Sequence, residues 1–210
     1  MTFMTVFHFP IPGVRIGDYT YDLPEQKIAK YPLAVRHDSK LLCYRDGKVS
    51  DHVFQDLPSL LPRDSLLVFN NTKVVPARLF FRKETGALIE VFCLEPASPK
   101  EYILAFSQHT SSTWYCAVGN AKKWKTGHLP LYNPHNDPKL TSLGLSASLI
   151  GQEADRFLVR FSWTANLPFS AILEASGRVP IPPYLKRESE DSDLERYQTI
   201  YARKRGSVAA

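Results

Sequence analysis

The sequence predicts a mixed α/β protein in which a larger α/β domain carries an inserted small β-barrel. Three observations lead there. Ser65-Leu-Leu-Val-Phe is a short continuous apolar run between Arg63-Asp64 and Asn70-Asn71-Thr72, the length and punctuation of a strand buried on both faces. From Val74 onward the chain becomes a series of short strand-like segments joined by turn-rich links. After Trp163 the composition turns helical. These shifts divide the chain into 1–77, the first segment of the larger domain; 78–163, the inserted barrel; and 164–210, the return to the larger domain.

Each element has a local reason. Pro24 is suited to start a short helix, Glu25 to Tyr31, which Pro32 stops. Leu41 to Arg45 and Lys48 to His52 read as a hairpin because Asp46-Gly47 supplies the positive φ angles of a two-residue turn. Ala87 to Glu95, Tyr102 to Ser107, Thr113 to Val118, Ser146 to Ile150 and Arg156 to Trp163 are strand-like, five in succession. Leu131 to Leu143, with Asn133-Pro134 and Asn136-Asp137-Pro138, reads as an exposed loop within the barrel. Phe169 to Ser176 has the apolar spacing of a helix, with Gly177 as its C-cap. Pro180, Pro182 and Pro183 then force an extended, stiff segment. The acidic run Glu188-Ser-Glu-Asp-Ser-Asp reads as a solvated loop that caps a helix beginning near Leu194, on which Tyr197 and Tyr201 share one face.

A chain of 210 residues buries roughly 70% of its unfolded surface, so a core forms without disulfides or metal. Cys43, Cys93 and Cys116 are odd in number and widely spaced, which points to neither a disulfide framework nor a zinc site and fits a reducing compartment. The stretch Met1 to Gly17 lacks the pattern of a signal peptide, and no apolar run approaches membrane-spanning length, so a cytoplasmic protein is expected. His8, His37, His52, His109, His128 and His135 show no metal-ligand spacing, and no metal is predicted. Glycine-rich phosphate loops, dinucleotide fingerprints and nucleophile elbows are absent, which disfavours those three enzyme classes.

The net charge of +5 suits a polyanionic partner, and its distribution is uneven. Lys73, Arg78, Arg82 and Lys83 occur with no acid among them, and Lys122, Lys123 and Lys125 surround Trp124. Trp124 can stack a base or anchor a hairpin. Asn70-Asn71-Thr72-Lys73 sits where a buried strand ends, the position at which open α/β sheets bind ligands. Carboxamides there can read a nucleobase edge or a ribose hydroxyl, and Lys73 and Arg78 can meet phosphate or carboxylate; two asparagines also simply make a turn. Ile181-Pro-Pro-Tyr-Leu-Lys-Arg presents Tyr184, Lys186 and Arg187 on a stiffened backbone, the combination used for unpaired RNA and equally that of a polyproline connector.

Several strings together resemble the S-adenosylmethionine:tRNA ribosyltransferase-isomerase family of queuosine biosynthesis. They are Tyr21-Asp-Leu-Pro-Glu, Arg36-His-Asp-Ser-Lys-Leu-Leu, Leu66-Leu-Val-Phe-Asn-Asn-Thr-Lys-Val-Val-Pro-Ala-Arg-Leu, Pro180-Ile-Pro-Pro-Tyr-Leu-Lys-Arg, Glu195-Arg-Tyr-Gln-Thr-Ile-Tyr-Ala-Arg and Gly206-Ser-Val-Ala-Ala. The likeness is loosest between Ser98 and Asp155, where Val118-Gly-Asn-Ala-Lys-Lys-Trp-Lys replaces a more usual Arg-Pro-Gly-Lys-Lys. Family members continue past Ser-Val-Ala-Ala, so the resemblance implies a larger domain that is incomplete here and, in these residues alone, either an exposed apolar surface or an association that covers it.

The resemblance also implies a reaction. The ribosyl part of S-adenosylmethionine, a co-substrate and not a bound cofactor, passes to 7-aminomethyl-7-deazaguanine at the tRNA wobble position. Adenine and methionine leave, and epoxyqueuosine-tRNA results. The partners implied are S-adenosylmethionine and the tRNA anticodon loop, with no membrane and a monomeric full-length enzyme. Asn70, Asn71, Thr72, Arg78 and Tyr184 are the expected substrate-binding residues. Lys73, Lys122, Lys123, Lys125, Lys186 and Arg187 are the expected RNA contacts, and no residue stands out as the general base. A non-catalytic RNA-binding module or an inactive fragment are the alternatives.

Overall fold

The structure, a computed structural model, describes residues 13–207. His8, the rest of the opening segment to Pro12 and the last three residues of the Gly206-Ser-Val-Ala-Ala string lie outside the described residues.

The elements in chain order are β1 (Lys40–Arg45), β2 (Lys48–Val53), α1 (Leu57–Leu60), β3 (Thr72–Val74), β4 (Arg78–Arg82), β5 (Leu88–Ser98), α2 (Tyr102–Phe106) and β6 (Ser111–Gly119). They continue with β7 (His128–Pro130), α3 (Pro138–Leu143), β8 (Ser146–Glu153), β9 (Arg156–Ser162), α4 (Phe169–Ser176), α5 (Asp193–Arg196) and β10 (Lys204–Ser207). Six of the strands form one antiparallel sheet in the order β4-β5-β6-β9-β8-β7. The sheet curls until its ends meet: Phe81 bridges to Leu131, and the Tyr132 N–H donates to the Phe80 carbonyl at 2.8 Å. The mixed α/β class and the barrel-like sheet therefore both stand.

Alternation dictates what the barrel encloses, because successive side chains of a strand point to opposite faces. Leu79 pairs with Val91, Phe81 with Ile89, Cys93 with Cys116 and Trp114 with Val159, and all eight side chains are fully buried. The two cysteines face each other unbonded; burial, and then the neighbouring Cys93, pushes the Cys116 thiol well above its ordinary range. Aromatic rings gather where α4 packs on the barrel. Phe169 of α4 lies 5.7 Å from Trp114, 5.4 Å from Phe161 and 5.2 Å from Trp163, spacings at which ring pairs add to simple burial. Val75 and Ala77 before the barrel and Ile172 and Leu173 after it belong to the same buried cluster.

Several expectations are corrected. Tyr102 to Ser107 is not a strand but the helix α2, which buries Ala105 and sets Phe106 5.3 Å from Trp114; a helical turn brings that ring onto the core while leaving Ile103 exposed. The barrel's other strands are β4 and β7, too short or too charged to show clear alternation. Leu131 to Leu143 is only partly a loop. Asp137 accepts from the Lys139 N–H at 2.8 Å and starts α3, which buries Leu143.

The Glu25 to Tyr31 helix shrinks to a 3-10 turn, Glu25–Lys27, because so short an exposed segment has no packed face to offset nucleation. Ser65 to Phe69 is not a buried strand: Leu66 and Val68 are 88% and 87% exposed, and none of the five residues is in a strand. The apolar surface expected of these residues is thus present. Helix α5 ends at Arg196, so Tyr197 and Tyr201 do not share a helical face. Gly177 does follow α4 and its N–H donates to the Leu173 carbonyl at 2.7 Å, yet its backbone is extended, φ −89°, not left-handed.

The hairpin β1–β2 forms with its expected turn, Asp46 at φ 52° and Gly47 at φ 76°. The remaining sheet joins β3 to β10 in parallel. Among the described residues no helix is long and apolar enough to cross a membrane.

Candidate functional site

Two polar constellations flank the connection between β3 and β4. The first is a clasp around Asn70 to Val74. The Asn70 carboxamide oxygen accepts from the Thr72 N–H at 2.9 Å and the Thr72 hydroxyl at 2.7 Å, the side-chain-to-backbone bonding that makes asparagine a turn residue. The Asn71 carbonyl accepts from the Arg203 N–H at 2.8 Å, and the Thr199 hydroxyl donates to the Asn70 carbonyl at 3.2 Å. Gln198 completes the clasp: its oxygen accepts from the Val74 N–H at 2.7 Å while its amide donates to the Val74 carbonyl at 2.8 Å. One side chain thus occupies both backbone hydrogen-bonding groups of Val74, which a neighbouring strand would otherwise take. Arg36 in turn donates to the Gln198 carbonyl at 2.6 Å and the Arg196 carbonyl at 2.8 Å, fixing the stretch that carries Gln198.

Beside the clasp lies an open cavity of about 770 Å³ whose walls include Phe54, Leu67, Phe69, Asn70, Tyr197 and Tyr201. Phe69 and Tyr201 lie ring to ring at 4.2 Å. A cavity of this size with mostly apolar walls and a few fixed polar groups is what a small organic ligand requires. Replacing Gln198 by alanine strands the buried Val74 amide and carbonyl. A cost of about 1–2 kcal/mol is expected, with faster amide exchange at Val74 and unchanged exchange in β6. Equal exchange at Val74 in both proteins would mean that β3 is held by other contacts.

The second constellation is a groove of about 500 Å³ lined by Arg78, Phe80, Tyr132, His135, Arg178 and Arg187 together with Glu188. Arg78 and Arg178 are backbone partners, each N–H donating to the other's carbonyl at 3.2 and 2.8 Å, so their side chains leave the same face. Arg78 Nε lies 3.0 Å from a Glu90 oxygen but out of line with it, and makes no hydrogen bond. Arg178 sits over the Phe80 ring at 5.3 Å and pairs with Glu188 at 3.2 Å.

The structure sorts the sequence candidates. Asn70 and Asn71 are exposed, Thr72 half-buried at the start of β3, and Lys73 exposed. Arg78 belongs to the groove and not to the cavity beside Asn70. Tyr184 is exposed in a 3-10 turn, Pro183–Leu185, and Lys186 follows at φ 51° with its ammonium 3.0 Å from Glu25. That ammonium, and next Lys30, hold the Glu25 carboxyl below its usual range. Arg187 is largely committed: it donates to both Asp193 oxygens at 2.7 and 2.8 Å and to the carbonyls of Lys30 and Glu188 at 2.9 Å. This corrects the reading of the acidic run as wholly solvated, since Asp193 is 1% exposed.

Lys122, Lys123 and Lys125 are exposed around Trp124, which is buried and donates to the Gly127 carbonyl at 3.3 Å; the ring is a core anchor and does not stack a base. Lys83 donates to the Lys123 carbonyl at 2.8 Å, so the two basic stretches adjoin. Gln198, Arg178, Phe80, Tyr132 and His135 were not singled out by sequence. Gln198 and Arg178 stand next to residues that were, but only the fold shows what they face. Among the described residues no three His, Cys, Asp or Glu side chains gather into a metal site.

A basic barrel protein with a polar clasp beside a ligand-sized cavity is the class that these features define. The chain belongs to the queuosine biosynthesis protein family, whose model matches residues 16–210. It is 36% identical over 198 residues to the S-adenosylmethionine:tRNA ribosyltransferase-isomerase of Trichlorobacter lovleyi, covering 93% of this chain and 51% of that protein. Relatives with the same name from Anaeromyxobacter sp. and Aquifex aeolicus are 36% and 37% identical, each aligned over 94% of this chain and 52% of the relative. The chain spans about half the length of the curated relatives it matches.

Proposed function

We propose that the chain acts in the transfer and isomerisation of the ribosyl part of S-adenosylmethionine onto 7-aminomethyl-7-deazaguanine at the tRNA wobble position, with release of adenine and methionine. The observation that carries the reading is the family match across nearly the whole chain. The sulfonium of S-adenosylmethionine acidifies the adjacent carbon, so that a general base starts the rearrangement, the aminomethyl nitrogen takes the ribose carbon, and epoxyqueuosine-tRNA forms. In this reading Asn70, Asn71 and Thr72 hold the nucleoside, with the cavity beside them receiving its apolar faces. Arg78 and Tyr184 orient substrate from outside that cavity, and the exposed lysines 73, 122, 123, 125 and 186 attract the tRNA backbone. The six-stranded barrel is then a module inserted into a larger α/β domain, and a cytoplasmic setting follows from the substrate.

A second reading is favoured by the arginine groove, which can grip RNA without chemistry: the chain as an RNA-binding module. Single-turnover adenine release separates the two, using S-adenosylmethionine and precursor-bearing tRNA, with the Aquifex aeolicus relative run alongside. Adenine released by this chain is the expected result. Release by the relative alone, with tRNA still bound by this chain, would leave the binding module.

A further inference from the structure

We infer that the groove between β4 and the 178–189 segment is a track for an unpaired RNA strand, gated by the Arg178–Glu188 ion pair. This rests on the proposal that the chain handles tRNA and adds where, and by which side chains, the strand is held.

Cations and rings alternate along one surface. The Arg178 guanidinium lies 5.3 Å from the Phe80 ring centre. Tyr132 is tied to Phe80 by its backbone N–H, and the Arg82 guanidinium lies 5.9 Å from the Tyr132 ring centre. A lone phosphate needs only the guanidiniums. Rings set between them suit a polymer that offers a base face and a phosphate at each step. The rings are half-buried and anchored in the barrel wall, which limits the ordering cost of stacking on them.

The guanidiniums are not equally free. Arg187 spends four of its five N–H donors on Asp193 and on two carbonyls, so it shapes the groove without being available to turn toward a ligand. Arg78 is close to Glu90 and retains an Nε without a hydrogen bond. Among the described residues Arg178 is held by Glu188 alone of the carboxylates, in a pair whose side chains are 50% and 89% exposed. Exposed pairs of this kind are weak, so a phosphate can take the guanidinium and release Glu188 to water. Glu188 thereby acts as an intramolecular competitor for the strand.

The test is fluorescence anisotropy of a labelled anticodon stem-loop RNA against the chain, from about 50 to 200 mM salt. Arg178→Ala is expected to weaken binding about tenfold and to lower the salt slope by about one. Tyr132→Ala is expected to weaken it about tenfold with the slope unchanged, because stacking releases no counterions. Glu188→Gln is expected to tighten binding several-fold by removing the competitor. Arg178→Ala leaves the backbone bridge to Arg78 in place, so its melting temperature should match the wild type. Variants that bind as the wild type does would overturn the track while leaving the tRNA reading intact. Equal competition by a free mononucleotide would also overturn it, making the groove a simple phosphate site. A wild-type chain that binds no stem-loop would sink the tRNA reading and the track together.

Discussion

Replacing Asp193 by alanine is expected to destabilise the fold by about 3 kcal/mol, measured by urea unfolding. Asp193 is 1% exposed, and its two oxygens receive Arg187 in a bidentate pair and the Glu190 N–H at 2.8 Å. Truncation removes the charge but leaves the Arg187 guanidinium in place, with its side chain 10% exposed and its main partner gone. An unpartnered cation at such a site costs more than the pair gained, which is why the effect greatly exceeds that of a surface ion pair. The same guanidinium also holds Lys30, so the 24–35 stretch should loosen with it. A variant that unfolds with the wild-type midpoint would show that Arg187 finds water or another carboxylate without cost.

The pair has a pH signature of definite sign. Arg187 lies hydrogen-bonded to the Asp193 carboxyl and, against the smaller opposing effect of burial, holds its pKa below the ordinary value of 3.8. A carboxyl with a depressed folded-state pKa stabilises the fold above its unfolded-state value, and that contribution is lost as pH falls through the folded-state value. Wild type should therefore lose stability below about pH 4 more steeply than Asp193→Asn, which has no carboxylate to protonate. Parallel curves for the two proteins would assign the acid sensitivity elsewhere.

The second large effect is expected at Gly177. A methyl group added there would stand 1.8 Å from the Pro76 carbonyl oxygen and 2.7 Å from that of Leu173. Both obstacles are backbone, so relief requires moving α4 away from the strand connection before β4. Because Phe169, Ile172 and Leu173 of that helix are fully buried against the barrel, the shift would open the core. Gly177→Ala should cost about 3 kcal/mol or prevent folding altogether. Ser176→Ala is the matched control: it deletes only a hydroxyl bonded to the Ile172 carbonyl and should stay within about 1 kcal/mol of the wild type. Equal stabilities for the two variants would show that α4 is not pinned at this contact.

Local chemistry was legible wherever a few adjacent residues decide the outcome. Asp46-Gly47 specifies its hairpin because the turn needs two positive φ angles, and the strands around it follow. The strands at 88–98, 111–119 and 156–162 show themselves by inward apolar alternation, and that at 146–153 by the turn residues around it. Asn70 reads from the sequence either as a turn residue or as a ligand contact; the turn bonding is present, and the side chain also borders a cavity. Gly177 was legible as a helix end but for a different reason: close approach to Pro76, not left-handed geometry, is what excludes a side chain.

Tyr102 to Ser107 has an apolar pattern that suits a strand or a short helix, and only the position of Trp114 makes the helix the better burial for Phe106. Ser65 to Phe69 has the composition of a central strand, yet burial on both faces depends on neighbours that composition cannot supply. The site divides in the same way. The types of residue at Asn70 to Lys73 and Tyr184 to Arg187 are a property of the sequence, which by itself determined the family and the barrel. That Gln198 clasps Val74, that Arg187 is spent on Asp193, and that Arg178 comes beside Arg78 was decided by the tertiary structure. Those contacts join residues about a hundred positions apart or compete for one guanidinium, and no local preference encodes which partner wins.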